Sequence, residues 1–266
     1  MQASKSKQIK IYMGKCFRIF KNEHGWKTFI SAAIIAVMVA LVASDGMFEF
    51  DRATSNGGFA LICACVWIGL FNSIQTVCKE RDIIKREHRS GLQMSAYITS
   101  HMLFDIILCA IEALIVAGII FAMTGENMPE TALMFPTIVE LYITFFLTIV
   151  CSDALGLMLS SVVKTPNTAM TVMPFVLIFQ FVMAGNIFKL EGDGAKIISG
   201  FTVSKWSLNA VCATADVNSL PAKVKLARGT PREVAEIVTE NAKVFEDSYE
   251  AEPQTLLLVW GILLAF

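Results

Sequence analysis

The chain has 266 residues, of which 55% are hydrophobic and 17% charged, and its formal net charge is −1. A soluble globular domain carries about 45–50% apolar and about 25% charged residues, so the apolar excess, gathered in long runs, points to lipid as the solvent for most of the chain. No Lys/Arg-rich patch with interleaved aromatics occurs, which leaves nucleic-acid binding without support.

In chain order, the first element is an amphipathic helix. Ile9, Tyr12, Met13, Cys16, Phe17 and Phe20 recur at helical spacing among Lys5, Lys7, Lys10, Lys15, Arg18 and Lys21. A basic helix with one apolar face suits the headgroup layer of a membrane. The apolar run that follows lasts about 17 residues, longer than a signal-peptide core, and further spans come after it. It is expected to stay as a membrane anchor.

A spanning helix needs about 20 mostly apolar residues. The candidates are Thr28–Ala43, Gly58–Val77, Ile98–Met123, Ala132–Ser160 and Thr168–Phe188. A last run, Thr255–Phe266, is long enough for about 18 Å of a roughly 30 Å core and is expected to be a sixth span cut short. Lys and Arg crowd the segment before the first span and the loop between the second and third. The opposite loops hold Arg52 alone, so the N-terminus is expected to be cytoplasmic.

The fold class predicted is all-α: a six-helix transmembrane bundle with an interfacial N-terminal helix and a small external domain between spans five and six. Residues 1–27 form the cytoplasmic helix, 28–188 hold spans one to five, 189–253 lie outside the cytoplasm, and 254–266 begin span six. Within the external segment, Arg232–Tyr249 reads as a helix, with Thr230 as N-cap and Pro231 in its first turn. Val234, Ile237, Val238 and Val244 supply its apolar side.

The loop between spans two and three has the strongest pattern, with charges of both signs over 79–91. Asp82 and Arg86 stand at i,i+4, which supports a short exposed helix, and Gly91 is a natural stop. Lys and Arg alone suffice to set topology, so Glu80, Asp82 and Glu87 point to a docking surface for a cytoplasmic protein. A merely solvated loop is the plainer alternative.

Inside the spans, His101, Asp105 and Glu112 fall within about 40° of one another at 100° per residue. The fourth span adds Glu140 and Asp153 on different faces. Charges at mid-bilayer cost about 2.5–3.5 kcal/mol each on insertion scales, so they face a cavity or a partner. Either they form a polar lining or relay, or they are carboxylates hydrogen-bonded between helices for packing.

Other chemistries find no pattern. The seven cysteines include no CxxC pair, so no metal site is expected. Cys212, the one cysteine placed outside the membrane, is either a buried free thiol or a bridge between subunits. Neither H-E-x-x-H nor G-x-S-x-G occurs, and His24, His88 and His101 do not cluster, which argues against an intramembrane enzyme. No G-x-x-x-x-G-K-[ST] run is present to cradle nucleotide phosphates.

The run Glu80-Arg81 … Arg86-Glu87 … Gly91 … Ser95-Ala96-Tyr97 … Phe104-Asp105 resembles the signature of type-2 ABC transporter permeases, particularly the G-subfamily half-transporters. Ser160–Leu190, with its Pro/Asn turn into a fifth span ending near Gly185, is similar too, as is Ile198–Val211. There Gly200 follows Ser199 where family members carry Pro.

The resemblance implies an exporter built on two permease protomers, identical or different. Each docks on a nucleotide-binding domain that holds ATP and Mg2+, with no cofactor in this chain. It implies that Glu80, Arg81, Asp82, Arg86 and Glu87 lie on a coupling helix contacting the ATPase. Residues 163–167 then form a smaller cytoplasmic contact, and the N-terminal helix is the connecting helix. Phe175, Phe179, Val182 and Met183 become candidates to line a cavity for an apolar or amphipathic substrate, with ordinary packing as the alternative. The rival reading is a membrane assembly or sensor subunit whose external segment binds a partner.

Overall fold

The computed structural model describes residues 4–188, 192–223 and 247–266. Helix α1 (Lys5–Asn22) and helix α2 (Lys27–Ala43) meet at a bend of 70°. His24, in the turn between them, has φ of 55°. Helix α2 turns Ala32, Ala36, Ala40 and Ala43 inward and leaves Ile34, Met38, Leu41 and Val42 exposed. Small residues inside and large apolar ones outside are the arrangement expected in lipid, where close backbone approach rather than apolar burial holds helices together.

Helix α3 (Asp51–Ser73) runs almost without a break into helix α4 (Thr76–Arg89), and together they span 39 residues. Gly91, at φ 104°, turns the chain into helix α5 (Met94–Thr124). Helix α6 (Thr137–Val162) follows, then α7 (Pro166–Val182), α8 (Asp193–Ser199), α9 (Val203–Thr214) and α10 (Pro253–Ala265). Among the described residues the one β-type pairing is an isolated bridge between Thr131 and Pro136.

The α3–α6 crossing is the centre of the fold. A Cβ at Gly69 would stand 2.3 Å from the Ile149 carbonyl oxygen, and one at Gly156 would stand 2.4 Å from Ser73 Oγ. Only glycine allows backbones this close. Leu61, Ile62, Val66, Leu70, Phe145 and Ile149 fill the contact. Helix α5 packs against α2 on one side and α6 on the other, and α1 lies along α5.

Three continuous helices, the α3–α4 run, α5 and α6, are long and apolar enough to cross a membrane, and the bent α1–α2 pair raises the number to four. Helices α7 and α10 are apolar but have 17 and 13 residues. The chain is therefore an all-helical integral membrane protein among its described residues, and several expected boundaries need correction. The fourth span begins at Thr137 rather than Ala132. The amides of Met134 and Phe135 are bound by the Glu140 carboxylate, and Pro136 takes the N-cap position. Helix α7 stops at Val182 rather than Phe188, and Gly185 beyond it has φ of 87°. It runs through Pro174 as one helix.

The segment after α7 is not wholly a separate cap. Residues Val203–Thr214 are almost all buried, packed as α9 against α3, α6 and α10. Thr148 Oγ1 donates to Ser207 Oγ at 2.7 Å, and the Gln180 side-chain carbonyl accepts from the Ser204 amide at 3.3 Å. Ser204 and Ser207 let this segment turn back into the bundle because both find hydrogen-bond partners there. The helix expected over 232–249 lies outside the described residues, except for a single 3-10 turn at Asp247–Tyr249.

Candidate functional site

Helix α4 has two unlike faces. Its N-terminal cap residue, Gln75, makes no side-chain cap bond. Ser160 of α6 takes that role across the crossing, accepting from the amides of Val77 at 3.0 Å and Cys78 at 3.2 Å. This satisfies donors that a helix start otherwise leaves unpaired. Arg81 returns the favour to α6, donating to the carbonyl oxygens of Val163 at 3.1 Å and Ser161 at 3.4 Å. The two helix ends cap each other.

The acidic residues of α4 divide in the same way. Glu80 is held inside, accepting from Lys15 Nζ at 3.0 Å and from the Tyr97 hydroxyl at 3.0 Å. Glu87 accepts from the Tyr12 hydroxyl. Burial and the Glu87 carboxylate both hold the Tyr12 phenol well above its ordinary range, so it remains a neutral donor. Gln8, one turn earlier on α1, donates to the Gly91 carbonyl at 3.2 Å and accepts from the Gln93 amide at 3.0 Å. Gln8, Tyr12 and Lys15 thus form one polar edge of α1 that clasps α4 and the turn into α5.

The opposite face is free. Asp82, Ile83, Lys85, Arg86 and Arg89 are exposed. Asp82 pairs with Lys85 at 3.5 Å rather than with Arg86, the partner its i,i+4 spacing suggested. Of the five residues marked in the sequence, then, Asp82 and Arg86 point away from the bundle. Glu80, Arg81 and Glu87 bind its other helices.

The buried charges form a second group. On α5, His101, Asp105 and Glu112 are all buried. His101 lies against Tyr97, with ring centroids 4.5 Å apart and planes tilted by 53°, and Cys16 Sγ lies 3.7 Å from its Nδ1. Burial pushes the Cys16 thiol up to about 11, with the nearby Asp105 carboxylate adding to it. Asn72 of α3 donates to Glu112 Oε2 at 2.7 Å. Asp153 of α6 is within electrostatic reach of Asp105 and Glu112.

One oxygen on each of Asp105, Glu112 and Asp153 lacks a hydrogen-bond partner among the described residues. A cleft of about 370 Å3 between α1, α3, α4 and α5 reaches Asn72, Gln75, Lys79, His101 and Asp105. Among the described residues no ion pair neutralises these carboxylates, so the cluster can hold water or shared protons.

Glu140 does not belong to this cluster. It sits in the first turn of α6, and its Oε1 accepts the Met134 and Phe135 amides at 2.6 and 2.9 Å. About 20 Å of helix rise separates it from Asp153. Asp153 instead is the α6 carboxylate within electrostatic reach of the α5 pair; the sequence suggests a similar depth for Asp105 and Asp153 but not that they face each other. Asn72 was also missed: a lone amide near the end of an apolar run carries no signal until α3 and α5 are seen side by side.

Helix α7 buries one edge, Ala169, Met173, Leu177 and Gln180, and exposes Phe175, Ile178 and Phe179. Met183 is half-buried just beyond its end. Trp67 and Phe71 of α3, stacked at 6.0 Å, are exposed too. Cys212 is a fully buried free thiol in α9. Among the described residues no group of three or more His, Cys, Asp or Glu is arranged to hold a metal ion.

Residues 7–210 match the family model described as ABC-2 type transporter. A curated relative is the ABC transporter ATP-binding/permease protein Rv1747 of Mycobacterium tuberculosis, 24% identical over 213 residues. That match covers 76% of this chain and 25% of the relative, so the chain spans about a quarter of the length of the protein it resembles.

Proposed function

Because the chain belongs to the ABC-2 type transporter family, we propose that this membrane component of an ABC transporter is the permease of an ATP-driven exporter. It moves a hydrophobic or amphipathic substrate out of the cytoplasm or the inner leaflet. Two permease protomers enclose the pathway. Each α4 rests on a nucleotide-binding domain that holds ATP and Mg2+, whether on a separate chain or on the same polypeptide. The N-terminus lies in the cytoplasm, the α8–α9 side faces outward, and the protein resides in the plasma membrane.

The observation that carries this reading is the division of α4. Its inner face is tied by Glu80, Arg81 and Glu87 to α1, α5 and α6. Its outer face offers Asp82, Lys85, Arg86 and Arg89 around the half-exposed Ile83. A push on that outer face is transmitted to both flanking spans, because the charged and hydrogen-bonded contacts on the inner face are stiff. Phe175, Phe179 and Met183, with Trp67 and Phe71, give the protomer an aromatic face suited to line a substrate cavity between two copies.

The test is co-purification in mild detergent with an ABC ATPase subunit or domain, comparing wild type with the double reversal Asp82→Arg/Arg86→Glu. Release of the ATPase by a variant that remains folded supports the docking role. If no ATPase accompanies the wild-type protein under any condition, the transporter mechanism fails, and a sensor or assembly role for the 189–253 segment takes its place.

A further inference from the structure

A second cleft, of about 420 Å3, lies where α4 passes over the start of α5 and the end of α6. Its walls include Ile98 and Met102 from α5 and Leu157 and Met158 from α6, with Arg81 and Lys85 of α4 also in its lining. Ile98, Met102 and Met158 are 42%, 39% and 56% exposed, so the slot opens sideways from the bundle rather than into its core. This is a different surface from the aromatic face of α3 and α7, and it lies apart from the carboxylate cluster.

These two cations are not neutralised by the fold. Arg81 binds carbonyl oxygens, and among the described residues it forms no ion pair with a carboxylate. Lys85 meets Asp82 at 3.5 Å, with side chains 64% and 93% exposed, a pair of little energetic weight. An apolar slot in membrane-spanning helices, with two unneutralised cations in its lining, matches a molecule with an acyl chain and a phosphate. Basic sites between transmembrane helices on the cytoplasmic side bind anionic headgroups by this charge complementarity. A soluble anion has no use for the apolar walls, and a zwitterionic lipid gains less from the cations.

We propose that this cleft holds one anionic phospholipid, its phosphate between Arg81 and Lys85 and an acyl chain along Ile98, Met102, Leu157 and Met158. The lipid bridges α4 to α5 and α6 on the side that the α1 clasp leaves open. The choice of the cytoplasmic leaflet rests on the orientation proposed above; the site itself does not.

The experiment is native mass spectrometry of the purified full chain in mild detergent, with equimolar phosphatidylglycerol and phosphatidylcholine of matched chains. Wild type retains one phosphatidylglycerol per chain in preference to phosphatidylcholine, by about fivefold or more. Lys85→Gln reduces that preference about fivefold. Met102→Trp, which fills the slot, lowers retention of both lipids. Lys10→Gln, the same charge change on the exposed side of α1, leaves retention unchanged.

Equal retention of the two lipids overturns the proposal. So does a loss with Lys10→Gln equal to that with Lys85→Gln, because the attraction is then diffuse, and so does displacement of the lipid by inorganic phosphate alone. ATPase binding is scored in the separate co-purification described above, so failure of the transporter reading and failure of the lipid site register separately.

Discussion

Arg81 donates to the carbonyl oxygen of Val163 at 3.1 Å, joining the middle of α4 to the end of α6 across 82 positions of chain. Because Ser160 caps α4 in return, the two helices behave as one unit. Arg81→Ala leaves helix-end carbonyls without their donor and is expected to cost about 1–3 kcal/mol. A fall in the thermal midpoint of the detergent-solubilised protein measures it, and an unchanged midpoint would show that water replaces the guanidinium freely.

The outer face of α4 behaves in the opposite way. Asp82→Ala and Arg86→Ala each change stability by about 0.5 kcal/mol or less, as substitutions at exposed positions do. If α4 docks an ATPase domain as proposed, both are expected to weaken its binding in a titration. A large loss of stability without loss of ATPase binding reverses the assignment of the two faces.

The Lys15–Glu80 pair is partly shielded, with side chains 27% and 17% exposed. A double-mutant cycle with Lys15→Met and Glu80→Gln is expected to give a coupling of about 1 kcal/mol, at the upper end for exposed pairs. The cycle isolates the contact between α1 and α4 from the Tyr97 bond that Glu80 also makes. A coupling near zero would mean that the ion pair adds nothing to the Gln8 and Tyr12 hydrogen bonds and the apolar contacts that also hold α1.

Gly69→Ala and Gly156→Ala are expected to be the most damaging small substitutions. The new methyl group meets the Ile149 carbonyl at 2.3 Å in one case and Ser73 Oγ at 2.4 Å in the other. Gly69→Ala is the worse of the two, because a backbone carbonyl cannot rotate away as a hydroxyl can. A loss of about 3 kcal/mol or more, or failure to accumulate folded protein, is the expected result. Size-exclusion profiles of the two variants beside Gly118→Ala, whose added methyl finds open space, provide the comparison.

Glu112→Gln keeps a carbonyl to accept the Asn72 amide, whereas Glu112→Leu leaves that amide without its partner. The first variant is expected to keep its thermal midpoint within about 2 °C and the second to lose about 1–3 kcal/mol. If ATP-driven transport falls in Glu112→Gln while stability holds, the carboxylate cluster takes part in the transport cycle. If transport holds as well, the cluster is packing.

The amino-acid sequence by itself determined the solvent and the class. Apolar runs from Thr28 to Ser160 and segregated basic residues marked a helical membrane protein, because lipid admits few other structures for such runs, and the resemblance of the Glu80–Asp105 motif pointed to a permease. Composition and periodicity are local properties and survive without knowledge of neighbours. The split of α4, the place of Asp153 beside Asp105 and Glu112, and the return of α9 into the bundle were decided by tertiary structure. Each depends on which helix faces which.

A carboxylate such as Glu80 reads the same in sequence whether it points to a partner or to Lys15. The close α3–α6 approach at Gly69 and Gly156 brings distant residues to hydrogen-bonding distance and so assigns their roles. Glu140 illustrates the same limit: its place in the sequence does not show that the local amides of Met134 and Phe135 bind one of its carboxylate oxygens.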